Sequence, residues 1–203
     1  RITVDDVMDE VREQAERDYQ LASGLSQDVE TDDSVLRQTS ARLPWLLIGM
    51  AGGIGSSMIL GNFDNTFAAH PEMALFIPLI GGTGGNVGTQ SSAIVVQGLA
   101  NSSLDASNTW KQILKESVVA LINATIISML VYIYNFICFG ATATVTYSVS
   151  LSLFAVIMFA SIFGTLVPLT LNKMKIDPAI ATGPFITTTN DILAMVFYMG
   201  ITA

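Results

Sequence analysis

Asp191 is the residue that most needs a chemical reason. It lies in GPFITTTNDILAMVFYMG, residues 183–200, a run that is otherwise apolar apart from three threonines and Asn190. At helical pitch Thr187, Thr188, Ala194, Met195 and Tyr198 share its side. An acid in the middle of an apolar segment is expensive. Such residues face an ion path, a proton relay or a buried hydrogen-bond partner. No Lys or Arg lies within any apolar run to pair with it, so it must be protonated or meet a cation. The second group is LIGGTGGNVGTQSS, residues 79–92, where Asn86, Thr89 and Gln90 offer neutral oxygens beside Gly85. The third is the acidic head. Glu13 and Glu16 are i, i+3 neighbours and Asp18 follows, so their charges repel unless a cation lies between them.

The elements that must carry these residues follow from composition. Of 203 residues 51% are hydrophobic and only 13% charged, about half the charged share of a soluble domain. Mean hydropathy is +0.54. The charge is divided unevenly: residues 1–43 hold eleven of the seventeen acids and five of the nine Lys and Arg. The chain reads as an acidic helix (1–22), a linker with an interfacial segment from Val35 to Arg42 (23–43), and an apolar body (44–203). The net charge of −8 argues against nucleic acid as a partner. Cys138 is the single cysteine, which excludes an internal disulfide and any Cys-type metal motif. The start at Arg1, with no Met and no apolar signal core, reads as an internal stretch of a longer chain.

A transmembrane helix needs about 20 mainly apolar residues. Five runs qualify, near 44–61, 73–100, 115–139, 147–172 and 184–203. The glycines of 79–92 are poor in a helix interior. They predict either a break in the second span, with carbonyls freed toward a water-filled cavity, or close helix packing. Basic residues alternate between loops. Arg37 and Arg42, then Lys111 and Lys115, then Lys173 and Lys175 fall on one side, and none falls on the other. By the positive-inside rule this puts the N-terminus in the cytosol and the C-terminus outside a cell membrane. Glu116 reads as a first-turn acid favoured by the helix dipole. His70 lies in an outer loop without a metal-ligand pattern. An aspartyl intramembrane protease needs two apposed acids, and only Asp191 is mid-span, so the residues argue against an enzyme.

The stretches RLPWLL (42–47), PLIGGTGGNVGTQSSAIVVQGLA (78–100), LKES (114–117) and FGTLVPLTLNKMKIDPAIATGPFITTTNDI (163–192) resemble the membrane domain of MgtE-type magnesium transporters. Residues 1–22 resemble the end of the family's CBS module and its plug helix. The resemblance implies an all-α integral membrane homodimer in the bilayer, with five spans per subunit and a path lined by spans two and five. It implies that Asp191 of each subunit meets at the axis and holds hydrated Mg2+, with the Thr187 carbonyl facing the ion or its waters. Gly85, Asn86, Thr89, Gln90, Thr188 and Asn190 would line the path, and Glu13, Glu16 and Asp18 would bind a regulatory cation. Mn2+, Co2+ or Ni2+ are further candidates, and Ca2+ is disfavoured. The competing readings are a Na+- or H+-coupled exchanger on the same scaffold and a structural membrane scaffold.

Overall fold

A computed structural model describes residues 3–101, 109–140 and 144–202. The outer loop read between spans three and four lies partly outside the described residues (141–143), as do residues 1–2 of the acidic head and the terminal residue 203. The described residues form helices α1 (Val4–Ala22), α2 (Val35–Gly61), α3 (Asp64–Ala69), α4 (Ile77–Ala100), α5 (Thr109–Phe139), α6 (Thr144–Lys173) and α7 (Pro184–Thr202). Short 3-10 turns at Pro71–Phe76 and Pro178–Ala181 lead into α4 and α7. No strand occurs among the described residues.

Two helices and one 3-10 turn start where the sequence supplies a side-chain partner for the free N–H groups of a first turn. Thr3 and Asp6 form a reciprocal capping box at α1. Accepting the Thr3 backbone N–H first, and its hydroxyl second, holds the Asp6 carboxyl below its ordinary value of 3.8. Ser34 caps α2 by accepting the Arg37 N–H, and the Asp177 carboxylate accepts the Ala179 N–H at 2.8 Å before the second 3-10 turn. Gly183, at φ +62°, sets the approach to α7; a side chain there would collide with the Ala22 carbonyl at the end of α1.

Three expectations change. The second span is not broken: α4 runs as one α-helix through all its glycines. Gly81, Gly84, Gly85 and Gly88 recur at helical spacing and are buried. They admit close neighbours, which offsets their poor intrinsic helix propensity. The separate interfacial segment also merges with span one, because α2 continues through Pro44 without interruption. α5 starts six residues before the apolar run suggested, at Thr109.

α6 is the central helix and packs on α4, α5 and α7, while α2 packs on α7 and α1 touches the bundle at the Pro178–Ala181 turn. The core gathers Met73, Ile80, Leu153, Ile157, Tyr198 and Met199, all fully buried. Tyr198 seals it by donating its hydroxyl to the Met73 carbonyl at 2.8 Å. By contrast α2 and α5 leave broad apolar faces exposed, among them Leu46, Met50, Met58, Ile126, Met129 and Ile137. Among the described residues three helices, α2, α5 and α6, are long and apolar enough to cross a membrane by length and composition alone. α4 and α7 are diluted by glycine and by the Thr-Asn-Asp stretch.

Candidate ion-binding site

α2, α4 and α7 surround a cavity of about 1340 Å3, and Ser23–Leu25 of the linker lie at its edge. Asp191, Thr187 and Thr188 line it from α7, Gly85 and Asn86 from α4, and Gly52 and Ser56 from α2. Asp191 is half-buried. Its position depends on the glycine stripe. A methyl group at Gly85 would sit 3.3 Å from Asp191 Oδ1 and 3.0 Å from Thr187 Cγ2, and one at Gly81 would sit 3.7 Å from the same oxygen. The carboxylate thus lies over the bare backbone of α4, where larger residues would fill the space. Among the described residues nothing donates a hydrogen bond to it and no cation pairs with it. A carboxylate so placed calls for a proton or a cation in the cavity.

The neighbouring oxygens divide into those that face the cavity and those that do not. Thr187 is fixed by donating its hydroxyl to the Gly183 carbonyl at 3.0 Å. It also touches the Thr89 hydroxyl at 3.2 Å. Thr89 in turn donates to the Gly85 carbonyl at 2.9 Å, so it braces α4 against α7 from outside the cavity lining. Gln90 is exposed away from the cavity. Asn190 is 2% exposed and turned into the bundle, its amide occupying the space that Gly88 leaves open. Of the residues expected to line the path, the structure therefore brings Gly85, Asn86, Thr187, Thr188 and Asp191 together and places Thr89, Gln90 and Asn190 elsewhere.

The acidic head is partnered within its own helix. Glu13 pairs with Arg17 at 3.3 Å, Glu16 with Arg12 at 3.0 Å, and Asp18 accepts from Gln14 at 2.7 Å. No group of three or more His, Cys, Asp or Glu is poised around a metal position among the described residues. Two features, one in the cavity and one behind α4, differ from what the sequence shows locally. One is the contribution of α2, where Gly52 lies so close to Thr188 that a side chain would collide with it; the spacing of Gly52, Gly53, Gly55 and Ser56 was the available signal. The other is Glu116. It is 7% exposed, and its Oε1 accepts from Ser91 of α4 at 2.6 Å and from Ser161 of α6 at 2.7 Å.

Long apolar helices around a cavity that presents one unpaired carboxylate among small oxygen-bearing residues define a class, the helical membrane proteins that handle cations. The comparisons with known proteins specify it. Residues 77–201 match the family model MgtE, described as divalent cation transporter. The chain belongs to the MgtE family, a family of transporters rather than enzymes. It is 34% identical over 200 residues to the magnesium transporter MgtE of Bacillus subtilis, 31% to that of Enterococcus faecalis, and 28% over 206 residues to that of Thermus thermophilus. Each alignment covers 98% of this chain and 44% of the relative, so the chain spans less than half the length of these relatives.

Proposed function

We propose that this chain forms the pore of a Mg2+ transporter that carries the hydrated ion into the cytosol down its electrochemical gradient, with Asp191 as the central ligand. The observation that carries the reading is the unpaired Asp191 carboxylate held over the glycine stripe in a cavity of about 1340 Å3. That cavity is roomy enough for an ion with its waters. Mg2+ prefers oxygen at about 2.0–2.1 Å, gives up water reluctantly, and is usually held by one or two carboxylates. One acid per chain is a weak site. A two-fold homodimer that apposes two Asp191 residues makes it doubly negative without a second acid in the sequence. The open side of the cavity and the apolar exposed face of α2 suit such a partner, with lipid covering α5.

In this reading α4 and α7 cross the bilayer with α2, α5 and α6, shielded from lipid by the other spans and by the second subunit. The N-terminus is cytosolic. The Thr187 carbonyl, Thr188 and Asn86 contact the ion's water shell rather than the ion. Mn2+, Co2+ and Ni2+ share the oxygen chemistry and would compete, whereas the larger Ca2+ fits a two-carboxylate, water-rich site less well. An inside-negative potential favours inward movement by about 2.3 kcal/mol per elementary charge per 100 mV, and twice that for a divalent ion.

The test is Mg2+ uptake by the full-length protein in proteoliposomes under an imposed inside-negative potential, with Na+ and pH equal on both sides. Uptake that follows the potential and ignores superimposed Na+ or proton gradients is expected. Uptake that appears only with one of those gradients would establish the coupled exchanger instead.

A further inference from the structure

α4 turns Gly81 and Gly85 toward Asp191, and its rotation about its own axis decides whether that face stays there. The glycine stripe does not fix the rotation alone. Val156 of α6 packs against Gly84, the Asn190 amide packs against Gly88, and Gly164 of α6 meets the Gly88 carbonyl group backbone to backbone. These contacts are close but have no direction. Neither polar atom of the Asn190 amide has a hydrogen-bond partner among the described residues. A face of small residues lets neighbouring helices approach, and it offers few side chains to resist turning or sliding.

Directional bonds hold α4 from two sides just beyond Gly88. On one side the Thr89 hydroxyl meets the Thr187 hydroxyl of α7 at 3.2 Å. Ser91 lies two residues on, and so about 200° around the helix. Its hydroxyl donates to Glu116 Oε1 of α5 at 2.6 Å. Ser161 of α6 donates to the same oxygen at 2.7 Å, and the two hydroxyls lie 3.1 Å apart. All three side chains are buried, where hydrogen bonds are stronger than in water. One oxygen of α5 thus joins α4 to α6. The junction needs only an acceptor at that point, which a carboxyl, a carboxylate and a carboxamide all supply.

We infer that Glu116 is a positioning residue for the ion path: by accepting from Ser91 and Ser161 it fixes the rotation of α4 against α6, so that Gly81, Gly85 and Asn86 stay turned toward Asp191. This role rests on the Asp191 cavity being that path. Glu116 does not line the cavity, so it acts through α4 and touches no ion. The lever is short, since Ser91 lies six residues, about 9 Å, along α4 from Gly85. The clearance it controls is small, because a methyl group at Gly85 would already sit 3.3 Å from Asp191 Oδ1. A modest turn of α4 therefore changes the room left for an ion's waters.

The test is Mg2+ uptake by the full-length protein in proteoliposomes as a function of Mg2+ concentration, at matched amounts of folded protein. The thermal midpoint is read in parallel. Glu116→Ala removes the acceptor, and the half-saturating Mg2+ concentration is expected to rise about fivefold. Glu116→Gln keeps an oxygen that accepts both hydroxyls and is expected to hold that concentration within about twofold of the parent's. Should Glu116→Ala fail to fold, Ser161→Ala removes one donor and is expected to raise the half-saturating concentration about twofold. A merely structural Glu116 would lower the thermal midpoint and the yield of folded protein. The half-saturating concentration of the folded alanine variant would then equal the parent's, and that result would overturn the proposal. So would a Glu116→Gln variant as impaired as the alanine variant, since charge or a proton would then matter and not the acceptor. A parent protein that takes up no Mg2+ would instead overturn the ion path itself, and the role of Glu116 in shaping it would fall with it.

Discussion

Two acids sit within apolar helices of this chain, and the bundle treats them oppositely. Asp191 is half-buried at the edge of a large cavity, and among the described residues no donor or cation reaches it. Glu116 is 7% exposed and accepts two serine hydroxyls from two different helices. Both faces of α4 are built of small residues. On the Asp191 side Gly81 and Gly85 leave room in front of the carboxylate. On the Glu116 side Gly88 and Ser91 let α6 approach until backbone meets backbone. The difference teaches that a small-residue stripe has two uses in one helix. It holds open the space on one face and closes it on the other. An acid facing the open side stays available to a ligand from outside. An acid facing the closed side becomes part of the framework.

The comparison can be broken first on its closed side. Gly164→Val drives a branched side chain into the backbone of Gly88, which has no means to yield, and overpacking of this kind costs about 1–3 kcal/mol or more. The expected result is loss of folded protein in detergent, read as early elution or aggregation on size exclusion. On the open side, Gly85→Ala leaves a contact of 3.3 Å to Asp191 Oδ1 that a small shift can relieve. Folding is expected to persist while Mg2+ uptake falls, because the added methyl occupies space used by the ion's waters. Next in size is Tyr198→Phe. It removes the buried hydrogen bond to the Met73 carbonyl and is expected to lower stability by about 0.5–1.5 kcal/mol without changing ion selectivity.

The smallest effects belong to the solvated helix α1, where charge is paired locally. Arg17→Ala removes the i, i+4 partner of Glu13 and is expected to cost only about 0.2–0.5 kcal/mol of helix stability. Asp6 gives α1 a pH dependence of known sign. Its carboxyl is held below 3.8 in the folded helix, so its cap contributes above that pH and is lost as the pH falls through the lowered value. Protection of the first-turn amides of α1, taken relative to their intrinsic exchange rates, is expected to fall on acidification below about pH 4, and Asp6→Asn is expected to remove that dependence.

Much of this arrangement was legible in the sequence, and the parts that were not share a cause. The apolar runs gave α2, α5 and α6 because hydropathy is a local property. Asp191 stood out because its neighbours within the run are apolar or hydroxylic. The glycines of α4 leave a break and close packing open from sequence alone, and the helix is continuous because the packing that Gly81, Gly84, Gly85 and Gly88 permit outweighs their low intrinsic propensity. Glu116 was read as a first-turn acid because hydropathy rises near residue 115. The helix begins at Thr109, which carries Glu116 two turns inward. Its partners lie 25 and 45 residues away along the chain, beyond the reach of any local pattern. Asn190 presented the same difficulty. Adjacent to Asp191 in sequence, it is rotated by about 100° on the helix and faces Gly88 instead of the cavity.

The account rests on Asp191 being the ligand that an ion meets in the cavity. The most direct measurement is Mg2+ uptake into proteoliposomes by the full-length protein and its Asp191→Ala variant at matched incorporation, with Asp191→Asn as an isosteric control. Uptake reduced to background in both variants, while the thermal midpoint stays near that of the parent, is the predicted result. Mg2+ uptake equal to the parent's in both variants would contradict it and make Asp191 a structural residue of α7.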